Sequence, residues 1–116
     1  MRSNPTAEQL NQAFIDLVGV DLIDNPNRRV KEYSEPRQMF CYLLKHLGWR
    51  YIDIARVFKQ HHASIMRNVE VYSGIRETYE DFLNMEIEIL CKWWDIDSKD
   101  VERKEIFLNI WNSLRN

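Results

Sequence analysis

Residues 36–68 read PRQMFCYLLKHLGWRYIDIARVFKQHHASIMRN, and the spacing of their apolar residues decides the fold. Pro36 opens a helix, because a first-turn proline lacks only an amide that would go unpaired there. Met39, Phe40, Leu43, Leu44 and Leu47 then recur at helical spacing and make one apolar face. Gly48 stops this helix, since glycine takes the left-handed conformation without strain. Tyr51, Ile54, Ala55 and Phe58 predict a second, shorter amphipathic helix. After a polar turn, Ile65, Met66, Val69 and Tyr72 begin the apolar face of a third. Two helices across a tight turn, the later one opening His62-Ala63-Ser64, have the layout of a helix-turn-helix.

Outward from this stretch the chain stays helical. Asn4-Pro5 predicts the start of a first helix, with Leu10, Phe14, Ile15 and Leu17 or Val18 as its buried stripe and an end near Gly19. Val20 to Ile23 reads as a short turn, and Asn25-Pro26-Asn27 breaks the chain before a basic loop, Arg28-Arg29-Val30-Lys31. Downstream, Thr78 and Asp81 form a capping pattern for a helix from about Tyr79 to Trp94. Ser98 caps a last helix carrying Val101, Ile106, Phe107, Ile110, Trp111 and Leu114. The expectation is an all-α, compact multi-helix domain spanning residues 1–116. The final apolar helix, about 98–114, adds to the core or else offers a surface for a homodimer or a protein partner.

The formal charge is −2 over 116 residues, but it is unevenly spread. Residues 27–76 hold ten Lys and Arg against four acidic residues, a net of +6, whereas both flanks are acidic. A local basic patch attracts phosphates even on an acidic protein, because salt screens charges beyond about 8–10 Å. No apolar run approaches the roughly 20 residues of a membrane helix. No basic-then-apolar leader opens the chain, so the expected location is cytoplasmic. Cys41 and Cys91, far apart, fit reduced core residues better than a disulfide framework or a metal site.

At Pro36-Arg37-Gln38-Met39, Leu44-Lys45-x-Leu47, Ile54-Ala55-x-x-Phe58 and His62-Ala63-Ser64-Ile65 the chain resembles the C-terminal DNA-binding domain of the bacterial replication initiator DnaA. The resemblance spans about residues 12–90 and implies a DnaA C-terminal, Trp repressor-like fold. It differs from the family pattern in several places. Ala55 replaces a glycine, His61 stands for an aspartate, and Ala63 and Ser64 replace two threonines. The resemblance implies binding of double-stranded DNA, in replication control or transcriptional regulation. It also places the family's minor-groove arginine on Arg29, on a loop from which an arginine can reach a narrow A·T groove.

The residues themselves supply the rest of the candidate interface. A recognition helix puts its N-terminal side chains into the major groove, which selects His61, His62, Ala63 and Ser64 as base-contacting. Arg28, Lys31, Arg37, Gln38, Lys45, Arg50, Arg56, Lys59 and Arg67 are candidates for phosphate contact, Arg37 and Gln38 because a helix N-terminus favours an anion. A structural ion pair is the alternative for Arg37. His46, His61 and His62 lack the spacing of a zinc site, and adjacent histidines at a helix start are expected to point apart. Neither a phosphate-cradling GxxxxGK[ST] loop nor a nucleophile-base set is present, so no enzyme activity, cofactor or metal is expected. The competing expectation is a helical protein-interaction module with an incidental basic patch.

Overall fold

A computed structural model describes residues 4–114. Six helices follow one another: α1 (Ala7–Val18), α2 (Lys31–His46), α3 (Tyr51–Phe58), α4 (His62–Thr78), α5 (Glu80–Trp93) and α6 (Val101–Ser113). There is no strand among the described residues. The Cα radius of gyration is 13.5 Å, close to the roughly 13 Å of a compact chain of about 100 residues.

Helix α1 starts later than Asn4-Pro5 suggested. Thr6 caps it: its side chain accepts from Gln9 N at 3.1 Å, and Gln9 Oε1 accepts from Thr6 N at 2.7 Å. This reciprocal pair satisfies two orphan amides at once and therefore outcompetes a cap at Asn4. Leu10, Ala13 and Phe14 are buried, Leu17 is exposed, and Gly19 ends the helix at φ +79°. The turn at Leu22–Asp24 hangs on buried Asn11, whose Oδ1 accepts from Leu22 N and Ile23 N while its Nδ2 donates to Asp21.

Helix α2 begins five residues before Pro36. Val30 occupies its N-cap, so Lys31 is its first residue and not part of a loop. Pro36 lies inside the helix, where it cannot supply the bond to the Glu32 carbonyl. The helix ends as expected, with Leu47 at the C-cap and Gly48 at φ +110°. Its buried side carries Met39, Phe40, Leu43 and Leu44, and the Phe40 ring meets Phe14 of α1 at 5.8 Å and Phe58 of α3 at 5.0 Å. Each such buried ring contributes roughly 1.5–3 kcal/mol over an exposed one. This aromatic row joins the first three helices.

Helix α4 packs against α2, α3 and α5. Ile65 and Tyr72 are buried as the spacing predicts, but Met66 turns outward. It lies 100° around the helix from Ile65, beyond the contact with α2 and α3. At the other end, Arg76 forms a two-pronged ion pair with Glu86 of α5, both contacts 2.9 Å. Glu86 is only 2% exposed and also accepts from the Tyr72 hydroxyl at 3.0 Å. The Arg76 guanidinium lies over the Tyr42 ring of α2. One buried carboxylate thus joins α4 to α5.

The predicted caps at Thr78 and Ser98 do not form. Thr78 donates back to Gly74 O within α4, leaving Tyr79 at the cap of α5 without a side-chain bond. Asp100 caps α6 by accepting from Arg103 N, a stronger acceptor placed directly before Val101. Within α6 only Trp111 is buried, packed 4.6 Å from the His46 ring. His46 Nε2 also donates to Trp111 O at 2.6 Å. Of the two alternatives for this helix, Ile106 and Ile110 follow the surface one, at 54% and 60% exposed. The last helix is thus half core and half surface.

Cys41 and Cys91 are both buried and free, in line with the reading of them as core residues. Burial pushes the Cys41 thiol up to about 12, more than the Asn68 hydrogen bond and nearby Arg37 pull it down, so it stays protonated and inert. No helix of the described residues is long and apolar enough to cross a membrane.

Candidate nucleic-acid interface

Between α3 and α4 the backbone makes a three-residue turn, Lys59-Gln60-His61. Lys59 adopts the left-handed conformation at φ 53°, and Gln60 N reaches back to Ala55 O at 3.0 Å. Ala55 at this packed position is 4% exposed, which is why a small residue is needed there. His61 then caps α4: its Nδ1 accepts from Ala63 N at 3.1 Å. With Nδ1 holding the backbone, the neutral ring carries its proton on Nε2, a donor directed away from the cap.

The loop before α2 comes to the same place. Gln60 Nε2 donates to Pro26 O at 2.5 Å and approaches Asn27 Oδ1 at 3.4 Å, tying loop to turn. Arg37 holds the loop from the other side. It is 7% exposed, and its Nη2 donates to Asn25 O at 3.0 Å and to Arg28 O at 2.6 Å. Burial lowers its pKa from the ordinary arginine value. Arg37 therefore acts as a strut for the loop backbone, in the second turn of α2 and away from its N-terminus, and it makes no ion pair among the described residues. Gln38 shares that second turn and is half-buried, with Oε1 buried and unpaired among the described residues.

As a result Arg29, Lys59, His61 and Ser64 border one groove, with Asn27, Arg37, Gln60 and Asn68 completing its polar lining and no carboxylate in it. His62 and Ala63 are exposed in the first turn of α4 but lie outside the groove. The His61 and His62 rings do not point apart: they stack at 4.4 Å, because the cap turns the His61 ring back over the helix start. Met66 and Arg67 continue the exposed side of α4, accompanied by Glu70. Gln60 and Asn68 were not singled out from the sequence, and Met66 was read there only as part of an apolar face. A glutamine in a polar turn and a methionine at an apolar spacing carry no signal of their own.

The other cations are scattered. Arg50 and Arg56 both engage Asp53, at 2.8 and 3.3 Å, so two of the phosphate candidates share one carboxylate. The hydrogen bond from Arg50 holds the Asp53 carboxyl below the usual range and raises the guanidinium in turn. Lys45 sits over the Tyr51 ring at 4.4 Å, and Arg28 over Tyr33 at 4.9 Å. Lys31 pairs with Glu35 at 3.6 Å and borders a different cleft. No three His, Cys, Asp or Glu side chains converge as a metal site among the described residues. In comparisons with known proteins, the chain has no significant match to a family model, a curated protein or a solved structure.

Proposed function

We propose that the chain binds double-stranded DNA sequence-specifically, with the start of α4 in the major groove and the Arg29 loop over the adjacent minor groove. The observation that carries this reading is the groove at the head of α4, where loop and turn bring Arg29, Lys59, His61 and Ser64 together without a carboxylate. His61 offers an Nε2–H donor, suited to guanine O6 or N7, in place of the acceptor that an aspartate would supply. His62 reads a second base edge, and Ala63 and Met66 present methyl groups to thymine. Lys59 and Arg67 contact phosphates. Arg37 serves by aiming Arg29 and does not itself touch the duplex. The resemblance to the DnaA C-terminal domain points to replication control or transcriptional regulation.

A protein-interaction module is the second reading, favoured by the apolar side chains that α6 leaves in solvent. Selection of bound duplexes from a random pool, followed by salt titration of the winner, separates the two. A DNA-binding chain yields a defined site, and its affinity falls steeply with salt as several phosphates are neutralised. No enrichment, or an affinity indifferent to salt, rejects the DNA reading.

A further inference from the structure

Two surfaces outside the Arg29 groove match each other. The first is an apolar cleft of about 450 Å³ between α1, α2 and the start of α5, floored by Phe14, Val20, Met39, Phe82 and Met85. That is within the roughly 300–1,000 Å³ range of ligand-sized pockets. Its mouth carries Lys31, Glu32, Glu35 and Asp81. Lys31 is taken by Glu35, which leaves the carboxylates of Glu32 and Asp81 without an ion pair among the described residues. A partner for this cleft therefore needs an apolar body and a cation beside it.

The second surface is the outer side of α6. Ile106 and Ile110 fall four residues apart and line one ridge of the helix, Leu114 follows at its C-cap, and all three are exposed. Arg103, three residues before Ile106 and seven before Ile110, lies on the same face beside Glu102 and has no ion pair among the described residues. Trp111 and Phe107 lie on the other side and pin α6 against Trp94, at the far end of α5. The cleft opens at Asp81 and Phe82, about 18 Å away along that helix at 1.5 Å per residue. The ridge cannot reach the cleft of its own chain.

We infer that a second copy of the chain fills the cleft, the Ile106-Ile110-Leu114 ridge of each copy lying in the cleft of the other. Arg103 then meets Glu32 and Asp81 at the mouth. Reciprocity follows from size. Three side chains in one cleft fall short of the roughly 800 Å² per partner of a stable interface, while the exchanged arrangement buries both pairs of surfaces. It also closes on a two-fold axis and leaves neither surface free to propagate. This inference stands apart from the DNA reading, since none of its residues borders the Arg29 groove.

Sedimentation equilibrium of the full chain tests it. The expected species has twice the 14.1 kDa mass of one chain and dissociates on dilution. Ile110→Glu, at a position exposed in the isolated chain, should give a monomer with unchanged circular dichroism. Arg103→Glu should weaken association at least tenfold, and adding Asp81→Arg to the same chain should restore it. A wild-type monomer at high micromolar concentration overturns the inference, as does a dimer that survives Ile110→Glu. An open-ended ladder of oligomers, or charge reversal without restoration, overturns the reciprocal arrangement.

Discussion

Replacing Arg76 by methionine tests whether the buried carboxylate holds α4 in place. The Glu86 side chain is 2% exposed and its two oxygens are served by the Arg76 fork and the Tyr72 hydroxyl. Removing the guanidinium leaves one hydroxyl for a charge that water cannot reach. Breaking one side of such a pair costs about 3–5 kcal/mol. A domain of about 100 residues loses roughly 4–8 °C of Tm per kcal/mol, so the melting temperature should fall by more than about 12 °C. Removing both charges, as Arg76→Met with Glu86→Leu, should recover most of the loss, because no unpaired charge then remains. Urea unfolding followed by circular dichroism gives both differences. A single variant within about 1 kcal/mol of wild type, or a double variant no better than the single, would refute this account of the network.

The remaining predictions concern the surface, the last helix and acid. His62→Ala should cost about 1–3 kcal/mol on the selected site and flatten preference at one or two base pairs, while Lys59→Ala should weaken all sequences alike and lower the salt slope by roughly one. Arg29→Ala should weaken binding most beside A·T-rich steps, measured by competition between duplexes. Trp111→Ala should cost about 3–5 kcal/mol in urea unfolding, since it empties the buried contact with His46, whereas Val101→Ala should stay within about 0.5 kcal/mol. Asp53 has its folded pKa depressed by Arg50, so its contribution is present above the ordinary carboxylate value of about 3.9 and lost as pH falls through the lower folded value. The stability difference between wild type and Asp53→Asn should therefore shrink on acidification below that range. A difference that stays constant with pH would exclude the Asp53–Arg50 bond as its source.

Helix boundaries were legible where the local signal met no competitor. Gly19 and Gly48 marked stops that the backbone adopts with positive φ, and the apolar positions Tyr51, Ile54, Ala55 and Phe58 all fall within α3. Signals failed where a second residue offered the backbone something better. Pro36 looked like a helix start because the bond it forfeits cannot be seen to be tolerable from sequence. Thr78 looked like a cap, but its hydroxyl had a carbonyl of its own helix within reach. The candidate interface was legible in its histidines and basic residues. The part played by Arg37 was not, because a basic residue beside a helix start reads as a ligand for anions until burial reveals two carbonyls around it.

The clamps on the loop from Val20 to Val30 have an entropic consequence. Asn11 holds its first half, Arg37 and Gln60 its second, each through backbone atoms. Fixing one residue's backbone costs about 1–2 kcal/mol of conformational freedom, and here that loss is incurred when the chain folds. Whatever meets Arg29 encounters a guanidinium on an already rigid support, with only the rotamers of one side chain left to order. Releasing the loop by Gln60→Ala would move that ordering cost from folding to association, and it would register as a weaker complex with every contact residue still in place.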